Sequence, residues 1–65
     1  MKVTINGERR EVASRTLAEL LQEAGFGATV VATAVNEEFV PVSAREARAL
    51  EAGDVIEVLS PMQGG

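Results

Sequence analysis

The sequence contains no histidine and no cysteine, so most side chains that carry protein chemistry are missing. Without a thiol there is no sulfur nucleophile, no redox pair and no thiolate metal site. Without imidazole, the commonest general base and the commonest transition-metal ligand are both gone. Carboxylates are plentiful, but Glu37-Glu38, Glu46 and Glu51 read as a solvated acidic face, and their spacing does not gather the oxygen ligands of a hard cation. No metal is expected. The remaining group with chemical promise is the α-carboxylate of Gly65, preceded by Gly64. An α-carboxylate is inert until activated, for example as an acyl adenylate. An enzyme performing that activation must admit a chain end into a narrow site beside ATP. Glycine lacks a Cβ, so its backbone can approach closely and adopt conformations closed to other residues. It also leaves the carbonyl open to an incoming nucleophile. Gly64-Gly65 therefore reads as a substrate arm and the rest of the chain as its handle. Glycine is common enough that a diglycine end is not diagnostic alone.

Composition narrows the handle's role. The chain has 65 residues and a formal net charge of −4. Nucleic acid is disfavoured as a partner, because phosphate neutralisation needs clustered Lys and Arg. Tyr and Trp are absent, so base stacking would fall to Phe26 and Phe39. An acidic chain favours a partner with a basic docking surface. Met1-Lys2-Val3-Thr4-Ile5 runs straight into Asn-Gly and charges, without the apolar stretch of a signal peptide. The apolar-rich run from Ala28 to Val35 is too short to span a bilayer. A cytoplasmic location without membrane contact is expected.

A chain this short buries only about 60% of its unfolded surface, and it has no disulfide or metal as a staple. An aliphatic core must suffice, with Phe26 and Phe39 added. Val3 and Ile5 alternate with polar residues as in a half-buried strand. Asn6-Gly7 is a strong hairpin signal, since a type I′ turn needs positive φ at both central positions. Arg9 to Val12 reads as the returning strand, charged enough to be an edge. Thr16-Leu17-Ala18-Glu19 has the capping-box pattern. Leu17, Leu20, Leu21 and Ala24 follow at core-facing helical spacing, and Gly25 suits the helix stop. That predicts a helix over 17–24.

Thr29 to Val35 reads as a central strand, Asn36-Glu37-Glu38 as a turn, and Phe39-Val40 as a short strand that Pro41 stops. Ser43-Ala44-Arg45-Glu46 repeats the capping-box pattern and predicts a short helix or turn to about Leu50. Glu51 to Asp54 is a turn, and Val55 to Leu59 the last strand. The order predicts an α+β chain: one main helix across one face of a mixed four- or five-stranded sheet. If the first and last strands pair in parallel at its centre, this is the β-grasp architecture. Residues 1–59 form the domain, and residues 60–65 an extended, flexible tail, with Pro61 unable to donate to a ladder.

The sequence resembles the thiamine-biosynthesis sulfur carrier family, ThiS, along its whole length. Val3-Thr4-Ile5-Asn6-Gly7-Glu8, Thr16-Leu17-Ala18-Glu19-Leu20-Leu21, Ala34-Val35-Asn36, Val40-Pro41, Gly53-Asp54-Val55-Ile56-Glu57-Val58 and Gly64-Gly65 carry the likeness. Glu37 departs from it, since the family often has Gly after the Asn. The resemblance implies a ubiquitin-like β-grasp protein that is not itself an enzyme. An adenylyltransferase related to ubiquitin-activating enzymes would use ATP and Mg to adenylate Gly65, with Gly64 giving access. Sulfur from a cysteine-derived sulfur donor enzyme would displace AMP to give a thiocarboxylate, which thiazole synthase would consume. The chain would bind no cofactor itself.

Alternation places Val55 and Leu59 on the open sheet face if Ile56 and Val58 face the helix. An apolar patch there suggests that Leu59, with Met62 of the tail, docks on the activating enzyme; equally, Leu59 could close the core edge. Other readings remain open. One is a different diglycine carrier, such as the small subunit of molybdopterin synthase. Another is a ubiquitin-like modifier joined to lysines. A third, of a different class, is a passive β-grasp interaction module that needs no free chain end.

Overall fold

A computed structural model of the chain describes residues 1–60. Strands β1 (Lys2–Ile5), β2 (Glu8–Glu11), β3 (Ala32–Val35), β4 (Glu38–Val40) and β5 (Val55–Leu59) form one sheet in the order β2-β1-β5-β3-β4. Helix α1 (Leu17–Glu23) and a 3₁₀ turn (Val42–Ala44) complete the regular structure. β1 and β5 pair in parallel at the centre, with Thr4 beside Val55 and Ile5 beside Ile56. The other neighbours are antiparallel. This is the β-grasp arrangement with five strands.

The local chemistry explains each element. Asn6 and Gly7 take φ of 50° and 83°, the two left-handed positions of a type I′ hairpin, and Ile5 pairs directly with Glu8 across it. The hydroxyl oxygen of Thr16 accepts from the Glu19 N–H at 3.2 Å, capping α1. The Glu19 carboxylate reaches back one residue further than a capping box requires, accepting from the Arg15 N–H at 2.8 Å. At the other end Gly25 has φ of 93°. The Gly25 N–H donates to Gln22 O, and the Phe26 N–H to Leu21 O at 2.7 Å, which together form a Schellman stop.

Leu17 and Leu20 are fully buried, and Leu21 nearly so. They join Val3, Ile5, Val35, Ile56 and Val58 in one aliphatic core, with Ala24 and Phe26 packed at its margin. The alternation along β5 places Ile56 and Val58 inside and Val55, Glu57 and Leu59 outside.

Three expectations are corrected. The third strand starts at Ala32, not Thr29. The Thr29 N–H turns back to Phe26 O, and Val30 is 80% exposed. Phe39 is not core: it is 66% exposed, on the open face of edge strand β4. Ser43 does not cap a helix. The 3₁₀ turn starts at Val42 behind Pro41 with no side-chain cap, the expected turn continues over 45–47, and the chain then passes beside the start of α1, where Ala49 bridges Thr16. There the Leu17 N–H bonds Arg48 O, and the Leu50 N–H bonds Arg15 O, both at 2.9 Å. The second of these bonds takes the Leu50 N–H, which a helix running to Leu50 would need for the carbonyl four residues earlier.

The second hairpin holds Asn36 and Glu37 at φ of 51° and 70°. Left-handed backbone costs an L-residue with a Cβ about 1–2 kcal/mol, and Glu37 bears that cost in a turn whose second position suits glycine. Glu37→Gly is therefore expected to stabilise the fold by roughly 0.5–1 kcal/mol, the remainder being offset by glycine's greater unfolded-state freedom. Thermal unfolding would check it. A lower melting temperature would mean that the Glu37 side chain contributes more than the turn costs.

Candidate functional site

β5 is the organising element, because it leads to the chain end and has a neighbour on each side. Leu59, its last residue, pairs with Ala32 of β3 and is 64% exposed. That exposure excludes the reading in which Leu59 closes the core edge. Across the same open face lie Ala34 opposite Glu57, and Phe39 opposite Ala34. Val55 stands at the other end of β5, beside Thr4. A shallow concavity lined by Val30, Val31, Ala32, Leu59 and Ser60 lies where β5 ends. The β5–β3–β4 part of the open face thus carries Leu59, Phe39 and Val55 with small alanines and Glu57 between them, while Lys2, Thr4, Arg9 and Glu11 make its β1–β2 part polar. Single exposed apolar residues are ordinary, whereas large apolar patches are where contact surfaces occur. Gly64, Gly65 and Met62, the other site residues expected from the sequence, lie outside the described residues, as does the tail from Pro61 onward.

The described residues offer little independent chemistry. Among them, no group of three or more acidic residues could hold a metal ion, and no helix is long and apolar enough to cross a membrane. One hydroxyl–carboxylate pair has the composition of a nucleophile beside its base. The Ser14 hydroxyl donates to Glu23, and the Ser14 and Ala13 N–H groups donate to the same carboxylate at 3.0 and 3.1 Å. The Ser14 hydroxyl, followed by the Ala13 N–H, holds the Glu23 pKa below the ordinary carboxylate value. Donors that stabilise the charged form weaken a base rather than activate it, so this pair fastens the 13–14 loop to the end of α1.

Several structural residues escape sequence reasoning. Asp54 is buried, accepting from Asn36 Nδ2 at 3.0 Å and the Glu51 N–H at 2.8 Å. The Val55 N–H donates to Asn36 Oδ1 at 3.0 Å, so Asn36 is more than a turn residue. It fastens the start of β5 to the β3–β4 turn. Arg45 donates to the buried Thr33 hydroxyl at 3.0 Å and to Val31 O at 2.6 Å, holding the chain just before β3. An Asn at a left-handed turn position next to a strand is the available signal for Asn36. Nothing local announces Arg45.

Comparison with known proteins agrees with this geometry. The ThiS family model matches residues 3–65. The chain is 44% identical over 64 residues to the sulfur carrier protein ThiS of Thermus thermophilus, covering 97% of this chain and 98% of that one. It is 41% identical over 66 residues to a thiazole synthase of Paramagnetospirillum magneticum, of which it spans only 20%. Among solved structures, the crystal structure of a thiamine biosynthesis protein (ThiS) from Geobacter metallireducens superposes with a TM-score of 0.85 at 29% identity, covering both chains completely. A solution structure of a thiamine biosynthesis protein from the same organism gives 0.79, also at 29% identity, over all of this chain and 88% of that one. The match runs through the ubiquitin-like fold from its first strand to the terminal glycines, and the chain belongs to the ThiS family.

Proposed function

We propose that this protein is the sulfur carrier for assembly of the thiamine thiazole. One observation carries the reading: the chain aligns end to end with a sulfur carrier protein at 44% identity and has the terminal diglycine on which such chemistry depends. Gly65 is the reacting residue. A carboxylate oxygen attacks the α-phosphorus of ATP on an adenylyltransferase that supplies Mg, and pyrophosphate leaves. A sulfur nucleophile from a cysteine-derived donor enzyme then attacks the acyl carbon. The C–S bond forms and the C–O bond to AMP breaks; with a persulfide as the nucleophile, a further thiol then attacks the donor's sulfur, the S–S bond breaks to leave a disulfide on the donor side, and Gly65 ends as a thiocarboxylate. Thiazole synthase consumes that sulfur. The protein is a recycled co-substrate rather than a catalyst, acting in the cytoplasm where ATP and cysteine are available. A thiazole synthase containing a stretch similar to this whole chain supports that enzyme as the partner, since fusion is one way to hold carrier and acceptor together.

Intact mass spectrometry tests the reading. The purified protein is incubated with the adenylyltransferase, Mg-ATP and a sulfur source. Replacement of one oxygen by sulfur at Gly65 is expected, and transfer to thiazole synthase would then assign the pathway. A conjugate to lysine instead would make the chain a modifier. No change with any competent partner would leave a passive interaction module.

The open face of β5 is the proposed docking surface, with Leu59 at the end of the strand and Met62 of the tail proposed to contact the same partner. Leu59→Asp places a charge where apolar contact is needed, at a position too exposed to support the core. It is expected to leave the fold intact and to weaken binding to the adenylyltransferase by about tenfold or more, near 1.4 kcal/mol. Unchanged affinity in titration calorimetry, with the melting temperature preserved, would remove this surface from the interface.

A further inference from the structure

β5 outruns its parallel neighbour. β1 ends at Ile5, whose register partner is Ile56, while β5 continues through Glu57, Val58 and Leu59. On the other side, β3 pairs as far as Leu59. The chain should therefore leave Val58 without backbone partners on the β1 side, because Asn6 has already turned away with φ of 50°. It does not, because the Asn6 side chain takes the place of the missing rung. The Val58 N–H donates to Asn6 Oδ1 at 2.8 Å, and Asn6 Nδ2 donates to Val58 O at 3.1 Å. The Asn6 N–H itself donates to Ile56 O at 3.0 Å. One residue thus closes the parallel ladder with its backbone and extends it with its carboxamide, across a sequence separation of 52.

This double demand explains the residue type. The turn accepts Asn, Asp or Gly at that position. Only Asn also presents a donor and an acceptor side by side, matching the C=O and N–H of a strand residue. Glycine would keep the turn and lose both bonds. Aspartate would keep the acceptor and set an oxygen against the Val58 carbonyl.

The geometry points to Asn6 as a positioning residue for sulfur loading: its carboxamide fixes the last residues of β5 and so the direction in which the chain end is presented to the adenylyltransferase. The inference rests on the carrier reading above. Val58 is only two residues before Ser60, where the described residues end, so a loose Val58 loosens the base from which the chain continues. A misplacement of about 1 Å at a reacting group can cost up to 100-fold in rate. The docking face is held separately: the Asn6 carboxamide bonds Val58, whose side chain is buried, whereas Leu59 is paired with Ala32 of β3 on the other side.

The test compares wild type, Asn6→Gly and Asn6→Asp in two measurements. The first is amide hydrogen exchange of the free protein. Asn6→Gly is expected to speed exchange at Val58 by roughly tenfold, the Val58 N–H having lost its acceptor, and Asn6→Asp by less. The second is the rate of adenylate formation with the adenylyltransferase and Mg-ATP, well below the melting temperature of each variant. We expect kcat to fall roughly tenfold for Asn6→Gly, with the KM for the carrier within about twofold of wild type, and to fall less for Asn6→Asp. A purely structural role would lower the melting temperature and leave kcat unchanged, which overturns the proposal. A raised KM with unchanged kcat also overturns it, placing Asn6 in the docking face instead. Should Asn6→Gly not fold, Asn6→Asp alone decides by the same split. A wild-type chain that forms no adenylate would overturn the carrier reading and this role with it; wild-type activity with unaffected variants overturns only the role of Asn6.

Discussion

Leu20→Ala is expected to unfold much of this protein at physiological temperature. Leu20 is completely shielded from solvent on α1, inside the cluster that joins the helix to Val3, Ile5, Val35, Ile56 and Val58. Truncating a buried leucine costs about 2–5 kcal/mol, the spread reflecting how far the surroundings collapse into the cavity. A chain of this length has a total stability of only about 3–10 kcal/mol. No disulfide supplements the core, and one seven-residue helix supplies most of the cover on that side of the sheet. The melting temperature should fall by roughly 10–30 °C. Leu59→Ala is the matched control: the same atoms leave an exposed position, and the change should stay within about 0.5 kcal/mol. Urea unfolding followed by circular dichroism gives both values. A loss below about 1 kcal/mol for Leu20→Ala would mean that the stripe on α1 is not the principal core contact.

The contrast between those two leucines shows what can be read from the sequence. Period-two alternation through Val55 to Leu59 determines both the strand and its faces, because a slip of one residue would bury Glu57 and expose Ile56. Asn6-Gly7 and Thr16 are legible because their demands are local: a left-handed turn pair, and an oxygen three residues before an orphan N–H. The failures involve partners. Thr29, Val30 and Val31 have β-forming side chains, yet a strand extends only as far as its neighbour accepts hydrogen bonds, and β5 ends opposite Ala32. Hydrophobicity alone places Phe39 inside, but burial of apolar residues is a one-way rule, and β4 turns Phe39 to the open face. Ser43 has the letters of a cap, but Pro41 sets the chain into a 3₁₀ turn one residue earlier. The end proposed to react is noticed from composition, since Gly64-Gly65 needs no fold to be seen, and it lies outside the described residues. The clamps on β5 are not, because Asn6 meets Val58 and Asn36 meets Asp54 only after the sheet has formed.

Changes at the chain end are expected to have the opposite signature to Leu20→Ala, abolishing function while leaving stability alone. Two alanines appended after Gly65 move the free carboxylate away from the position an adenylating site must align with the α-phosphorus. The Gly65 carbonyl becomes an amide, which cannot form an acyl adenylate. Gly64→Val keeps the carboxylate and tests access instead. A β-branched side chain removes the conformations open only to glycine and adds bulk beside the carbonyl to be attacked. Loading should fall below detection for the extended chain and by about 100-fold or more for Gly64→Val, the scale set by losing alignment of reacting groups. Neither change alters a residue of the described core, so melting temperatures should match wild type. The distinction lies in binding. If Leu59 and its neighbours supply docking, both variants should still bind the adenylyltransferase and compete with wild type for it, so that kcat is lost and affinity retained. Wild-type thiocarboxylate formation by the extended chain would show that Gly65 is not the reacting residue. Loss of binding along with loading would move the principal contact from the open sheet face to the diglycine itself, and the folded domain would then serve as a handle with little share in recognition.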